Sequence, residues 1–260
     1  MRGSQAAVRA TLNGVEHADI WDEEAAHRYD TPGVGMFAPD VLGRTVERLR
    51  ALAGGGRALE MAIGTGRVAI PLAEAGVAVA GIELCQPMID QLRTKADEER
   101  IPVVLGDMTT ARVDGTFSLV YLVFNGISNV LTQERQIAVF ANAAAHLEPG
   151  GSFVIELWVP DLQALPPGRT GSVFAARPGY LGADVFDPVA QQVVSHHVTF
   201  DREAGTEARI FRSPHRYIWP AELDLMARIV GFSLESRHGG WSEEPFTADS
   251  SDHVSTYRLR

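Results

Sequence analysis

The stretch Ala58-Leu59-Glu60-Met61-Ala62-Ile63-Gly64-Thr65-Gly66-Arg67-Val68 constrains this chain most. It opens with an apolar run suited to a buried parallel strand. A tight turn follows, with glycines at Gly64 and Gly66. Val68, Ile70, Leu72 and Ala73 then begin a helix. Glycine lets the backbone fold sharply and approach a ligand without a Cβ in the way. The N–H groups at the start of the new helix face whatever sits above the turn, so an anionic group is welcome there.

The same order of elements recurs downstream. Apolar segments at Val77 to Ile82, Ile101 to Leu105, Phe117 to Phe124 and Ser152 to Leu157 read as further buried strands. Helices fall between them, one from Pro87 and one from Gln133 to Leu147. Strand alternating with helix five times calls for a parallel sheet with helices on both faces. Before it, Ala25, Ala26 and Tyr29 continue a helical pattern from Ile20 and Trp21. A second helix opens at Pro39 with Val41, Leu42, Val46, Leu49 and Leu52 on one face. After it, Pro160 to Gly182 is rich in Pro and Gly and reads as a loop. Val193 to Phe200 and Glu207 to Tyr217 read as a hairpin about Asp201 to Gly205. Pro220 to Val230 is a short helix, and Phe232 to His238 and Val254 to Leu259 are two last strands. The expected division is a helical lid over 1–53, a main domain over 54–159 with 220–260, and an antiparallel insert over 160–219.

Composition narrows the function. The chain has 260 residues, 23 Lys and Arg against 33 Asp and Glu, and a formal charge of −10. An acidic surface argues against a nucleic-acid duplex or an anionic membrane as partner. Cys85 is the only cysteine, so no internal disulfide forms and a reducing cytoplasm fits. Met1-Arg2-Gly3-Ser4 resembles an expression leader, and no apolar signal segment follows it. The most apolar long window, Val68 to Ile82, is broken by Pro71, Glu74 and Gly76. No metal site is read from the sequence.

Three acids stand at or near the ends of the first three strands: Glu60, Glu83 and Asp107. In an open parallel sheet those ends converge on one crevice. An acid after the second strand can accept two hydrogen bonds from a ribose diol. One after the third can accept from an adenine amino group. Glu60, beside the glycine turn, could hold a cationic amino group or brace the loop. A rival reading takes Gly64-x-Gly66-x-x-Ala69 with Glu83 as a dinucleotide fingerprint and the chain as an NAD(P)-dependent oxidoreductase. That reading leaves Glu60 and Asp107 without a role. A third is a protein that binds its cofactor without catalysis.

The ordered set resembles the class I S-adenosylmethionine-dependent methyltransferases, in particular bacterial small-molecule and amino-sugar members. Glu60 to Gly66 is similar to their first motif, with Ala62 in place of its first glycine. Gly81-Ile82-Glu83-Leu84, Gly106-Asp107-Met108, Phe124-Asn125-Gly126 and Leu147 to Gly151 resemble the later motifs. The likeness covers roughly Tyr29 to Leu259. It implies a Rossmann-like, seven-stranded, mostly parallel sheet with helices on both faces and an antiparallel β insert.

It also implies S-adenosyl-L-methionine as cofactor. Gly64 and Gly66, with Ala62 beside them, would line its methionine part, and Arg67 would meet its carboxylate. Glu83 would take the ribose hydroxyls, while Leu84 and Met88 pack near the adenine. Asp107 and Met108 would flank the ring, Phe124 and Asn125 lie under the sulfonium, and Tyr29 close over the cofactor.

The acceptor is expected to be a small molecule, methylated at N or O, between the N-terminal helices and the insert. Trp158, Tyr180, Tyr217 and Trp241 are the contact candidates, with Phe186 and His215 nearby. His196, His197 and Glu156 are the candidate catalytic groups. The two histidines are adjacent, so at most one faces the site. Glu156 reads equally as an acceptor partner or as scaffold. A homodimer is left open.

Overall fold

The computed structural model describes residues 22–163, 165–200 and 208–260. The fold grows outward from β1 (Ala58–Met61), a strand with every residue buried. On one side it pairs in parallel with β2 (Val79–Glu83), which pairs with β3 (Val103–Leu105). On the other it pairs with β4 (Phe117–Leu122), and that strand with β5 (Leu147–Trp158). Two later strands, β10 (Phe232–His238) and β11 (Asp252–Leu259), complete the sheet. The order is β10-β11-β5-β4-β1-β2-β3, and β11 runs antiparallel to both neighbours. The expected seven-stranded, mostly parallel sheet is therefore present.

Strand alternation sorts the core onto two faces. Leu59, Met61, Val120 and Leu122 pack on one side against α5 (Gln133–His146) and α6 (Pro220–Val230). Ala58, Leu119 and Tyr121 pack on the other. There they meet α2 (Pro39–Ala53), α3 (Ala69–Glu74) and α4 (Gln86–Arg93). Both faces are covered, so the strands read as continuous apolar runs rather than alternating ones. The glycines after α2 are punctuation: Gly54 is left-handed at φ +59° and stops the helix. α1 (Glu23–Tyr29) starts at Asp22, whose carboxylate accepts the Ala25 N–H. Ile20 and Trp21 lie outside the described residues.

A second sheet of four antiparallel strands holds β6 (Gly171–Arg177), β7 (Tyr180–Asp187), β8 (Gln192–Phe200) and β9 (Ala208–Arg216). The expected hairpin is β8 against β9; its turn lies outside the described residues. The reading of Pro160 to Gly182 as loop is corrected, because β6 and the start of β7 fall inside it. Pro178-Gly179 is the two-residue turn between them, with Arg177 opposite Tyr180 and Gly179 at φ +81°. Proline followed by a left-handed glycine is the pattern of a type II turn. β6 is mostly exposed, so no alternation marked it as a strand.

The two sheets are joined by a buried polar cluster. Arg216, 5% exposed, donates to Gln136 Oε1 at 2.5 Å, Glu222 Oε1 at 2.6 Å and Gln191 Oε1 at 3.1 Å. Gln136 in turn donates to the Ile127 carbonyl oxygen at 3.3 Å. Apolar contacts of Trp158 with Tyr217 flank it. Among the described residues, no helix is long and apolar enough to cross a membrane.

One buried group titrates against the fold. His253 on β11 is fully enclosed; its Nδ1 meets Ser255 Oγ at 2.9 Å, and Nε2 has no partner among the described residues. Burial first, and then the Arg237 guanidinium, push its pKa down to about 4. The imidazole is neutral in the native protein but gains a proton when unfolded below pH 6.5. Its stability contribution is thus complete above pH 6.5 and drains away as pH falls toward 4. The expected loss is up to about 3 kcal/mol. Comparing urea midpoints at pH 7 and pH 4.5, His253→Gln should lose less stability than wild type.

Candidate active site

The turn after β1 is left-handed at three places: Ala62 at φ +54°, Gly64 at +55° and Gly66 at +80°. Added to Gly66, a Cβ would lie 3.1 Å from Ile70 and Leu92 side-chain atoms, so both backbone and packing require glycine there. Gly64 needs glycine for its backbone and faces open space. Ala62 carries a Cβ in a conformation that costs an L-residue about 1–2 kcal/mol.

Three carboxylates surround this turn, each engaged differently. Glu83, at the end of β2, accepts the Gly64 N–H at 2.8 Å on one oxygen and the Cys85 N–H at 3.0 Å on the other. It thereby ties the glycine turn to the neighbouring strand. The Leu84 N–H also points at it, and a carboxylate offers about four acceptor positions, so room for a further donor remains. Burial raises its pKa. Glu60, 3% exposed, accepts the Tyr121 hydroxyl at 2.9 Å. Burial pushes it up to about 8, against the pull of that hydroxyl and of Arg67. Asp107 accepts the Thr109 N–H and hydroxyl at 2.8 and 2.7 Å on Oδ1, and pairs with Arg135 through Oδ2. Partial burial works to raise its pKa, but these donors prevail and hold it below the ordinary range.

All three line one cavity of about 520 Å³, within the range of ligand sites. Every residue expected to meet the cofactor lines it except Gly66 and Asn125. Tyr29 reaches it from the end of α1, and the next residue fastens that helix down. The Asp30 carboxylate accepts from Thr65 Oγ1 at 2.6 Å and from Lys95 Nζ at 2.6 Å. Arg67 donates to the Met36 carbonyl oxygen at 3.1 Å and lies between the Phe37 and Phe124 rings. Thr65, Asn129 and Arg135 also line the wall. Arg135, in the first turn of α5, carries no mark in the sequence.

The expected acceptor and catalytic residues are not in that wall. Each Glu156 oxygen accepts one hydrogen bond, from the Phe124 N–H and the Trp241 indole N–H, both at 2.6 Å. Asn125 Oδ1 accepts the Trp158 N–H at 2.7 Å. Tyr217 is buried between Trp158 and Phe186. In the second sheet the Tyr180 hydroxyl meets His197 Nδ1 at 2.6 Å, and His196 Nδ1 lies 3.2 Å from the Val194 carbonyl oxygen. No group of three or more His, Cys, Asp or Glu arranged to hold a metal occurs among the described residues.

A parallel sheet with a reversed strand beside β5, a glycine turn after β1 and three acids around one cavity define the class I methyltransferase fold. The chain belongs to the S-adenosylmethionine-dependent methyltransferases. A methyltransferase-domain family model matches residues 58–151. The structure of the CcbJ methyltransferase from Streptomyces caelestis is similar, with 36% identity and a TM-score of 0.78 over 93% of this chain and 95% of that one. The cypemycin N-terminal methyltransferase of a Streptomyces species is 29% identical over 89% of this chain and 94% of its own length. A Streptomyces venezuelae dTDP-3-amino-3,4,6-trideoxy-alpha-D-glucopyranose N,N-dimethyltransferase is 30% identical, over 55% of this chain and 58% of that protein. This chain is therefore a methyltransferase whose cofactor is S-adenosyl-L-methionine, and the oxidoreductase reading is set aside.

Close packing behind the turn leaves no room for a side chain at Gly81 on β2. An added Cβ would lie 2.5 Å from Ile63 Cδ1 and 2.9 Å from Ile63 Cβ. Gly81→Ala should cost about 1–3 kcal/mol in urea unfolding. Because Ile63 lines the cavity, cofactor affinity should weaken in the same variant.

Proposed function

We propose that this chain moves a methyl group from S-adenosylmethionine to a nitrogen of a small-molecule amine, by in-line displacement. The observation that carries the reading is the unused acceptor capacity of three acids around one cavity. Glu83 keeps free acceptor capacity, which suits a ribose hydroxyl. Asp107 keeps one at Oδ2, which suits the exocyclic amino group of adenine. Glu60 suits the cationic amino group, and Arg67 retains donors for the carboxylate. Gly64, without a Cβ, lets the methionine part lie against the turn. Leu84, Met88 and Met108 supply apolar walls for the base. In this reading Ala62 and Gly66 shape the turn, and Phe124 borders the sulfonium end with Asn125 behind it. The division into lid, main domain and insert follows the same reading.

Bound there, S-adenosylmethionine supplies an electrophilic methyl group on a positive sulfur. The protein's task is then to hold the nucleophile about 3 Å away and in line with the breaking bond. A neutral amine has its lone pair ready and needs no general base, whereas a hydroxyl benefits from one. Nitrogen is further supported by the relatives named for a peptide N-terminus and for an amino sugar.

The test is mass spectrometry of candidate amines incubated with enzyme and S-adenosylmethionine. A gain of one methyl mass supports the reading; tight cofactor binding with no amine modified overturns it. Glu83→Ala should weaken S-adenosylhomocysteine binding by about 1–3 kcal/mol by calorimetry, and an unchanged Kd removes Glu83 from the site. Glu60 is mostly protonated at pH 7, since burial pushes its pKa up to about 8. Meeting an ammonium group ionises it, so binding at pH 7 should release close to one proton. Affinity should rise as pH climbs toward 8. Calorimetry in buffers of different ionisation enthalpy reads this release, and Glu60→Gln should abolish it.

A further inference from the structure

Phe124 and Asn125 are consecutive left-handed residues, at φ +48° and +61°. Asparagine tolerates this conformation; a bulky aromatic residue rarely adopts it. Phe124 is nonetheless 43% exposed and borders the cavity. A strained, exposed aromatic residue at a cavity edge persists only where the surroundings over-determine it. Here one residue receives both backbone N–H groups. Glu156 takes the Phe124 N–H on its carboxylate at 2.6 Å and the Asn125 N–H on its backbone carbonyl oxygen at 3.2 Å. Its second carboxylate oxygen is fixed by the Trp241 indole at 2.6 Å. Asn125 adds the bond to the Trp158 N–H. The brace thus draws on β5 and on the connection between β10 and β11, and its output is the direction of one ring. That ring lies 5.6 Å from the Arg67 guanidinium carbon, and Phe37 lies 5.9 Å from the same carbon on the N-terminal segment.

The geometry points to Glu156 as a positioning residue for the methyl acceptor. It holds Phe124 in its left-handed turn so that the ring forms the acceptor-side wall of the cavity, and Trp241 holds Glu156. This assignment rests on the methyl-transfer reading. Glu156 does not line the cavity; it acts through Phe124. Trp241, read from sequence as an acceptor contact, acts one step further back.

The test uses the full-length enzyme and the amine that gains most methyl mass in the screen above. Glu156→Ala should lower kcat/KM for that amine by about 10–100-fold, as misplaced reacting groups do. The Kd for S-adenosylhomocysteine should stay unchanged within error. Trp241→Phe should fall between wild type and Glu156→Ala, and Glu156→Gln should recover part of the loss, because its amide oxygen still accepts one N–H. A second arm needs no acceptor. Glycine takes a left-handed φ without strain, so Glu156→Ala should destabilise a Phe124→Gly background less than the wild-type background in urea. Unchanged amine kinetics in Glu156→Ala would overturn the proposal. So would a cofactor affinity that falls in step with the kinetics, or additive urea effects. If wild type binds no S-adenosylhomocysteine, the methyl-transfer reading itself fails, while the urea arm still tests the brace.

Discussion

The bond pair made by the Glu83 carboxylate is the constraint on which the site depends. One oxygen holds the N–H of Gly64 and the other the N–H of Cys85. The glycine turn after β1 is thereby locked to the exit of β2. A buried carboxylate without such donors would be costly. A turn with two glycines and a left-handed alanine would otherwise be free to wander. Each solves the other's problem, and the cavity floor is the result. Gly81, without a Cβ, leaves the space that the Ile63 side chain fills behind the turn.

A similar economy holds the second sheet in place. Arg216 and Glu222 are a buried ion pair with three glutamines completing their hydrogen bonds. Low dielectric makes such a network strict: satisfied, it specifies one arrangement, and broken, it leaves a charge stranded. Gln136 extends it to the carbonyl oxygen of Ile127, in the 3₁₀ turn Gly126–Asn129 that contributes Gly126 and Asn129 to the cavity wall. The insert and the cavity are therefore mechanically continuous.

What could be read in advance follows from how local each requirement is. A left-handed turn demands glycine at fixed positions, and strand ends in a parallel sheet converge by topology. Gly64, Glu83 and Asp107 were legible for that reason, as was the sheet. β6 was not, since an exposed edge strand has no buried face to imprint a period of two. Pro178-Gly179 reads as loop in the sequence because the same two residues serve either, and the pairing that makes it a tight turn is not local. Glu156 shows the harder limit. Its partners lie 32 and 85 positions away, so spacing along the chain could not tell an acceptor contact from a brace. Arg135 faces Asp107 only because α5 begins where it does.

The Asp30 carboxylate joins the end of α1 to Thr65 in the glycine turn and to Lys95 beyond α4. Tyr29, its neighbour, stands over the cavity. One half of this Asp30 strap is an ion pair that dissolved salt screens, and the other is a neutral hydroxyl that salt leaves alone. Ionic strength would therefore loosen one anchor of α1 while the other stays fast.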